Sequence, residues 1–180
     1  NGDDFSGQSV SYAGDVNGDG YDDIIIGADR NEDGGYPWAG KSYLIYGGTG
    51  LTQDMNLGNA NASFIGENAA DFSGISVSYA GDVNGDGYDD IIIGAHRNDE
   101  GGDYAGQSYL IFGGTGLTQD MDLSNANASF IGEAGGDYAG DSVSYAGDVN
   151  GDGYDDLIIG APNNDDGTNG AGQSYLIYGG

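Results

Sequence analysis

The 180-residue chain has no cysteine, two prolines, one histidine and only three lysine or arginine residues. Without cysteine it can build neither a disulfide framework nor thiolate chemistry. Three cations against 30 acidic residues cannot displace counterions from a phosphate backbone, which excludes nucleic acid as a partner. A formal charge of -27 would be repelled by an anionic membrane surface, so no direct membrane contact is expected. Strictly apolar runs end after three or four residues, far short of the ~18 of a spanning helix. The opening Asn1-Gly2-Asp3-Asp4 shows neither a basic nor an apolar leader.

What is present is acid, glycine and tyrosine. The 38 glycines are about three times the ordinary frequency of roughly 7%. A charged, glycine-rich chain of this kind stays disordered unless something offsets its entropy and its self-repulsion. A bound counter-charge is the escape, and the sequence can be searched for one.

The search finds a repeat. The string AGDVNGDGYDD occurs three times, with its first aspartate at Asp15, Asp82 and Asp148. Each repeat reads as four short strands: Ser9 to Tyr12, Asp23 to Gly27, Ser42 to Tyr46 and Ala62 to Gly66 in the first copy. They are rich in β-branched and aromatic residues and are bounded by Gly, Asn and Asp. No sustained helical period appears; Asp54 to Ala60 is too short and contains Gly58. The second strand is apolar on both faces, so burial by sheets on both sides is expected. Repeated four-stranded antiparallel units of about this length predict an all-β fold, a β-propeller. The blades span residues 1-67, 68-133 and 134-180, the last without its outer strand. Three blades do not close a ring, since propellers have roughly 4 to 8. Further blades in a longer chain, or a homo-oligomer such as two three-bladed chains, would complete it.

The loop between the first and second strands, Asp15 to Asp23, carries side-chain oxygens at its positions 1, 3, 5 and 9 and glycine at position 6. Ca²⁺ takes about six to eight oxygen ligands in a flexible shell, whereas Mg²⁺ keeps its waters and soft metals want Cys or His. The predicted ligands are Asp15, Asn17, Asp19, the Tyr21 carbonyl and Asp23 in the first copy. Asp82, Asn84, Asp86, Tyr88 and Asp90 form the second set, and Asp148, Asn150, Asp152, Tyr154 and Asp156 the third. An acidic solvated turn explains one such loop well; three at fixed positions favour metal. Position 12 is Ile26, Ile93 or Ile159 inside a strand, not the glutamate of a helix-flanked EF-hand. Three Ca²⁺ sites would offset six of the net negative charges.

Phe5-Ser6-Gly7, the acidic loop and then Gly27-Ala28 resemble the FG-GAP repeat, the blade unit of integrin α-subunit propellers. The pattern recurs at Phe72-Ser73-Gly74 with Gly94-Ala95, and at Tyr138-Ala139-Gly140 with Gly160-Ala161. The runs that follow Ala39, Ala105 and Ala171 also look like that family. Asp29 and His96 stand where the family has proline, and the family's ring generally has seven blades. The resemblance implies calcium in the hairpin loops, an extracellular or cell-surface setting, and recognition or adhesion.

Alternating connections put the calcium loops at one end of each blade and the divergent loops at the other. The divergent end carries Arg30, Trp38, Arg97 and Tyr104, the candidate surface for a protein or glycan ligand. Enzymatic activity is not expected. His96 has Asp29 and Pro162 as its counterparts, and no serine has a repeated histidine partner. The acids are already accounted for by metal. The alternative to a recognition scaffold is a calcium-stabilised structural repeat of a large secreted or surface protein. Asn61-Ala62-Ser63 and Asn127-Ala128-Ser129 match a glycosylation sequon but read as by-products of an Asn- and Ser-rich repeat.

Overall fold

The computed structural model describes residues 4–51, 53–167 and 170–180. The strands are β1 (Ser9–Gly14), β2 (Asp23–Ala28), β3 (Lys41–Ile45), β4 (Ala62–Ile65), β5 (Ser76–Gly81), β6 (Asp90–Ala95) and β7 (Gln107–Ile111). They continue with β8 (Met121–Asp122), β9 (Ala128–Ile131), β10 (Ser142–Gly147), β11 (Asp156–Ala161) and β12 (Gln173–Ile177). Three sheets result, in the orders β1-β2-β3-β4-β8, β5-β6-β7-β9 and β10-β11-β12. Within each blade the neighbours are antiparallel, and Ile24, Ile91 and Leu157 hold the same register against Tyr12, Tyr79 and Tyr145. Each first strand carries a register shift before its final glycine, and the alanine bulged out there (Ala13, Ala80) is fully buried.

The blades stack through their first strands, with β1 against β5 and β5 against β10. The Val77 N–H donates to Ser9 Oγ at 3.1 Å. The rings of Tyr12, Tyr79 and Tyr145 step across the stack at 5.1 and 4.8 Å between centroids. β8 leaves its own blade to pair in parallel with β4 of the preceding one, through Phe64 and Met121. Asp54 to Ala60 is not wholly irregular: Leu57–Asn59 forms a single 3-10 turn, with Asn56 accepting the Gly58 N–H.

Two apolar cores lie between blades rather than inside one. Ile25, Leu44 and Phe64 of the first blade meet Val77, Ile91 and Tyr109 of the second. Ile92 and Leu110 of the second meet Leu157 and Ile159 of the third. The expected burial of the second strand on both faces holds for β6, where all six residues are buried. It fails in the outer blades. Ile24 in β2 is 45% exposed and Ile158 in β11 is 39% exposed, because no sheet lies against those flanks.

Candidate metal loops

Each acidic loop is a knot of hydrogen bonds centred on its first aspartate. Asp15 Oδ1 accepts the Asp19 N–H at 2.9 Å and Asp15 Oδ2 accepts the Gly20 N–H at 2.9 Å. Asn17 Oδ1 also takes the Asp19 N–H, at 2.8 Å, and Asp19 Oδ1 takes the Tyr21 N–H at 3.0 Å. The same bonds recur on Asp82, Asn84 and Asp86. They recur again on Asp148, Asn150 and Asp152. Gly18 and Gly20 sit at φ 74° and 87°, in the left-handed region where glycine avoids a Cβ clash. Gly18 is constrained twice, since a Cβ there would lie 2.5 Å from the Tyr88 ring of the next blade.

The ninth loop residue behaves differently from the first, third and fifth. Asp23 is fully buried, and its two oxygens accept the N–H groups of Val16 at 3.0 Å and Gly47 at 2.8 Å. Asp90 is held the same way by Val83 and Gly113, and Asp156 by Val149 and Gly179. Burial pushes the Asp90 carboxyl up to about 7, and nearby Asp86 and Asp82 add to the rise. Burial raises Asp23 as well. These carboxylates tie the loop to the end of the third strand, so the loop's outer rim is presented on a fixed base.

Among the described residues no group of three or more His, Asp or Glu side chains gathers to hold a metal ion. The oxygen set of each loop is nevertheless that of a hard cation: two rim carboxylates, one amide oxygen and backbone carbonyls, with no nitrogen or sulfur ligand. Backbone N–H groups already turn onto Asp15 and aim its side-chain oxygens into the loop.

The eighth loop residue was not among the sequence-derived site residues, yet it joins the loops to one another. Asp89 Oδ2 accepts the Asp15 N–H at 2.7 Å, while its Oδ1 accepts the Tyr79 hydroxyl at 3.2 Å. Asp155 does the same with Asp82 N–H at 2.9 Å and the Tyr145 hydroxyl at 3.0 Å. A backbone bond accompanies each clip: Gly114 N–H to Val16 O at 2.7 Å, and Gly180 N–H to Val83 O at 2.9 Å. The sequence signal was an acid in every copy at a position that a metal loop does not require.

At the opposite end the divergent loops do come together. Arg97 lies over Phe72 at 4.7 Å and over Tyr104 at 5.7 Å, and Arg30 lies over Phe5 at 4.2 Å. Trp38 approaches Phe72 at 6.2 Å, and His96 stands between Phe72 and Tyr138, whose ring stacks on Tyr104 at 5.9 Å. Phe72 and Tyr138, the opening aromatics of their repeats, thus belong to the same run. Phe5, Trp38, Phe72, Tyr104 and Tyr138 all have φ between 53° and 57°, an uncommon conformation for bulky residues. Backbone bonds from Phe72 N–H to Trp38 O and from Tyr138 N–H to Tyr104 O, both 3.1 Å, hold it. Beneath this run Asn98 donates to Asp71 at 3.0 Å and to the Tyr109 hydroxyl at 3.2 Å, a network repeated by Asn164, Asp137 and Tyr175. The two sequon asparagines are engaged through their oxygens, Asn61 with the Tyr46 N–H and Asn127 with the Phe112 N–H, both at 2.9 Å.

The sequence model of the FG-GAP repeat matches residues 6–45, 73–111 and 139–177, one match on each sheet. The chain belongs to the FG-GAP repeat family. Its three sheets are FG-GAP blades of an integrin-like β-propeller. Integrin alpha-5 of Xenopus laevis is 33% identical over 162 residues, 87% of this chain and 15% of that protein. Integrin alpha-8 of Mus musculus is 34% identical over 167 residues, 89% of this chain and 14% of that protein. Integrin alpha pat-2 of Caenorhabditis elegans is 31% identical over 188 residues, 98% of this chain and 14% of that protein. The chain therefore spans about a seventh of the length of these relatives. No helix among the described residues is long and apolar enough to cross a membrane.

Proposed function

We propose that this chain is a calcium-binding propeller segment that serves as an extracellular recognition or adhesion scaffold. The observation that carries the reading is the acidic loop. It has one oxygen-rich hydrogen-bond pattern in three places, each anchored to a blade and to its neighbour loop. Asp15, Asn17, Asp19 and the Tyr21 carbonyl, with Asp23 at the base, would hold the first ion, and their counterparts in the other two loops a second and third. The ion supplies positive charge where the fold concentrates carboxylates, so metal binding and blade packing are coupled. Residues 1-67, 68-133 and 134-180 are the three units so stabilised.

The kinship with integrin α-subunits, together with the acid surplus, supports a calcium-replete, extracellular or cell-surface home. The ligand face in this reading is the end opposite the metal loops, where Arg97, Trp38 and Tyr104 share one aromatic run and Arg30 sits on Phe5. Its work is binding, not catalysis. The near-identity of the three blades supports a second reading, a calcium-stabilised structural repeat of a large secreted or surface protein.

Chelation is the test of the metal reading. Calcium at about 100 times its dissociation constant stabilises by about 2.7 kcal/mol per site. EDTA is thus expected to lower the melting temperature followed by circular dichroism, and added calcium to restore it. An unchanged melting curve would remove calcium from the account.

A further inference from the structure

Neighbouring metal loops touch through their proposed ligands. The seventh and eighth residues of one loop reach the first and fourth of the loop before it. Tyr88, whose carbonyl is a proposed ligand of the second loop, lays its ring against Gly18 of the first, where a Cβ would lie 2.5 Å from it. Asp89 then accepts the N–H of Asp15, the first loop's opening ligand, at 2.7 Å. Tyr154 covers Gly85 in the same way, and Asp155 accepts the Asp82 N–H at 2.9 Å. In the third loop no described residue takes the Asp148 N–H. There Asp148 Oδ1 accepts the Gly151 N–H at 2.6 Å as well as the Asp152 N–H, a bond that Asp15 and Asp82 do not make. The engagement of the opening aspartate thus differs between loops that a neighbour grips and one that none of the described residues grips.

A second path joins the ninth residues. Asp90 Oδ1 accepts the Gly113 N–H at 2.8 Å. The next residue, Gly114, donates to the Val16 carbonyl at 2.7 Å. The Val16 N–H donates in turn to Asp23 Oδ2 at 3.0 Å. Asp156 is joined to Asp90 by the same route through Gly179, Gly180 and Val83, at 3.0, 2.9 and 3.0 Å. The three ninth aspartates, all fully buried, therefore lie on one run of backbone hydrogen bonds. Bonds in such a run polarise one another.

We propose that the loops take up calcium cooperatively, with Asp89 and Asp155 as the positioning residues that carry the coupling from one loop to the next. The proposal rests on the calcium reading of the loops. Engaging the Tyr88 carbonyl as a ligand fixes residues 88 and 89, and these hold Gly18 and Asp15 in place. The first loop then needs less ordering to reach its binding form, which is positive cooperativity. Linkage makes the effect reciprocal, so a filled first loop strengthens the second by the same factor. Charge acts in the opposite direction, because a filled neighbour attracts the next ion less. Each loop carries four aspartates. Salt at about 0.15 M screens such effects beyond roughly 8 Å, so the coupling is best read there or above.

A chain carrying Asp152→Ala loses a third-loop ligand and keeps the first two loops whole. Calcium titration of this chain, with the zero-, one- and two-ion species counted by native mass spectrometry, tests the coupling. At half-saturation it is expected to hold about half as many one-ion chains as independent loops would give, the mark of a coupling of about tenfold. Asp89→Leu added to it is expected to restore the independent distribution. Asp89→Asn removes the same charge but keeps an oxygen for the Asp15 N–H and an amide for the Tyr79 hydroxyl, and is expected to preserve the coupling. Circular dichroism checks the fold of each variant. Independent filling in the Asp152→Ala chain would overturn the proposal, and so would equal effects of Asp89→Leu and Asp89→Asn. Ions bound without coupling overturn this proposal alone, whereas a chain that takes up no calcium overturns the calcium reading with it.

Discussion

The first and second blades carry the same second strand, Asp-Ile-Ile-Ile-Gly-Ala, in the same register against the same partners. Yet β6 is buried throughout while in β2 Ile24 is exposed and Ile26 half-buried. The difference is therefore not in the strand but in what lies against it. A propeller blade is half of two junctions, and a neighbour supplies much of its burial, although Ala28, Tyr43, Ile45 and Ala60 of the first blade are buried by that blade's own residues. The cores lying between sheets express the same fact.

The comparison can be broken by identical substitutions in the two blades. Ile91→Ala removes a fully buried side chain and is expected to cost about 2–5 kcal/mol. Ile24→Ala, at the same place in the outer blade, should cost less than about 1 kcal/mol in the monomer. Denaturant titration of the two variants measures the gap. Equal losses would show that burial by the neighbouring blade is not what distinguishes them.

A buried carboxylate of the second blade gives the next effect. Burial pushes Asp71 up to about 6, above its ordinary 3.8, against the bonds from Asn98 and Asn68 that lower it. The folded state thus holds this proton more tightly than the unfolded state does. Its contribution to stability is present below about pH 4 and is lost as pH rises through about 6. A shift of this size corresponds to about 3 kcal/mol at most. Asp71→Asn is expected to flatten the fall of melting temperature between about pH 4 and pH 6; an unchanged slope would show that Asp71 does not carry it.

The clips between loops give a smaller contrast. Asp89→Ala leaves the Asp15 N–H and the Tyr79 hydroxyl without their acceptor and is expected to cost about 1–3 kcal/mol. Asp22→Ala loses only a 3.3 Å bond to an exposed tyrosine and should cost less than about 0.5 kcal/mol in the monomer. Thermal melts at a concentration that keeps both variants monomeric compare them directly.

Much of this was legible in the sequence because the repeat made it so. Three copies of one string fixed the strand pattern, and the uniform apolarity of Ile91-Ile92-Ile93 announced burial on both faces. The loop positions of Asp15, Asn17 and Asp19 could be read from oxygen spacing alone. What could not be read was relational. Asp22, Asp89 and Asp155 look like spare acids until the neighbouring blade brings an N–H to Asp89 and Asp155. Asp23 reads as one more loop oxygen, and the sequence did not tell that it is buried with its oxygens accepting the Val16 and Gly47 N–H groups. The aromatic run was half visible: Trp38 and Tyr104 stood out as loop residues, whereas Phe72 and Tyr138 were hidden inside the repeat motif. Nothing local to Ile24 or Ile158 told that their blades would lie at the flanks of the stack.

The central claim is that each acidic loop holds one calcium ion. Native mass spectrometry of the chain in calcium, with Asp86→Ala and Asp152→Ala alongside, tests it most directly. Three ions per wild-type chain and two in each variant is the predicted result. A wild-type chain that carries none, or variants that keep all three, would contradict it.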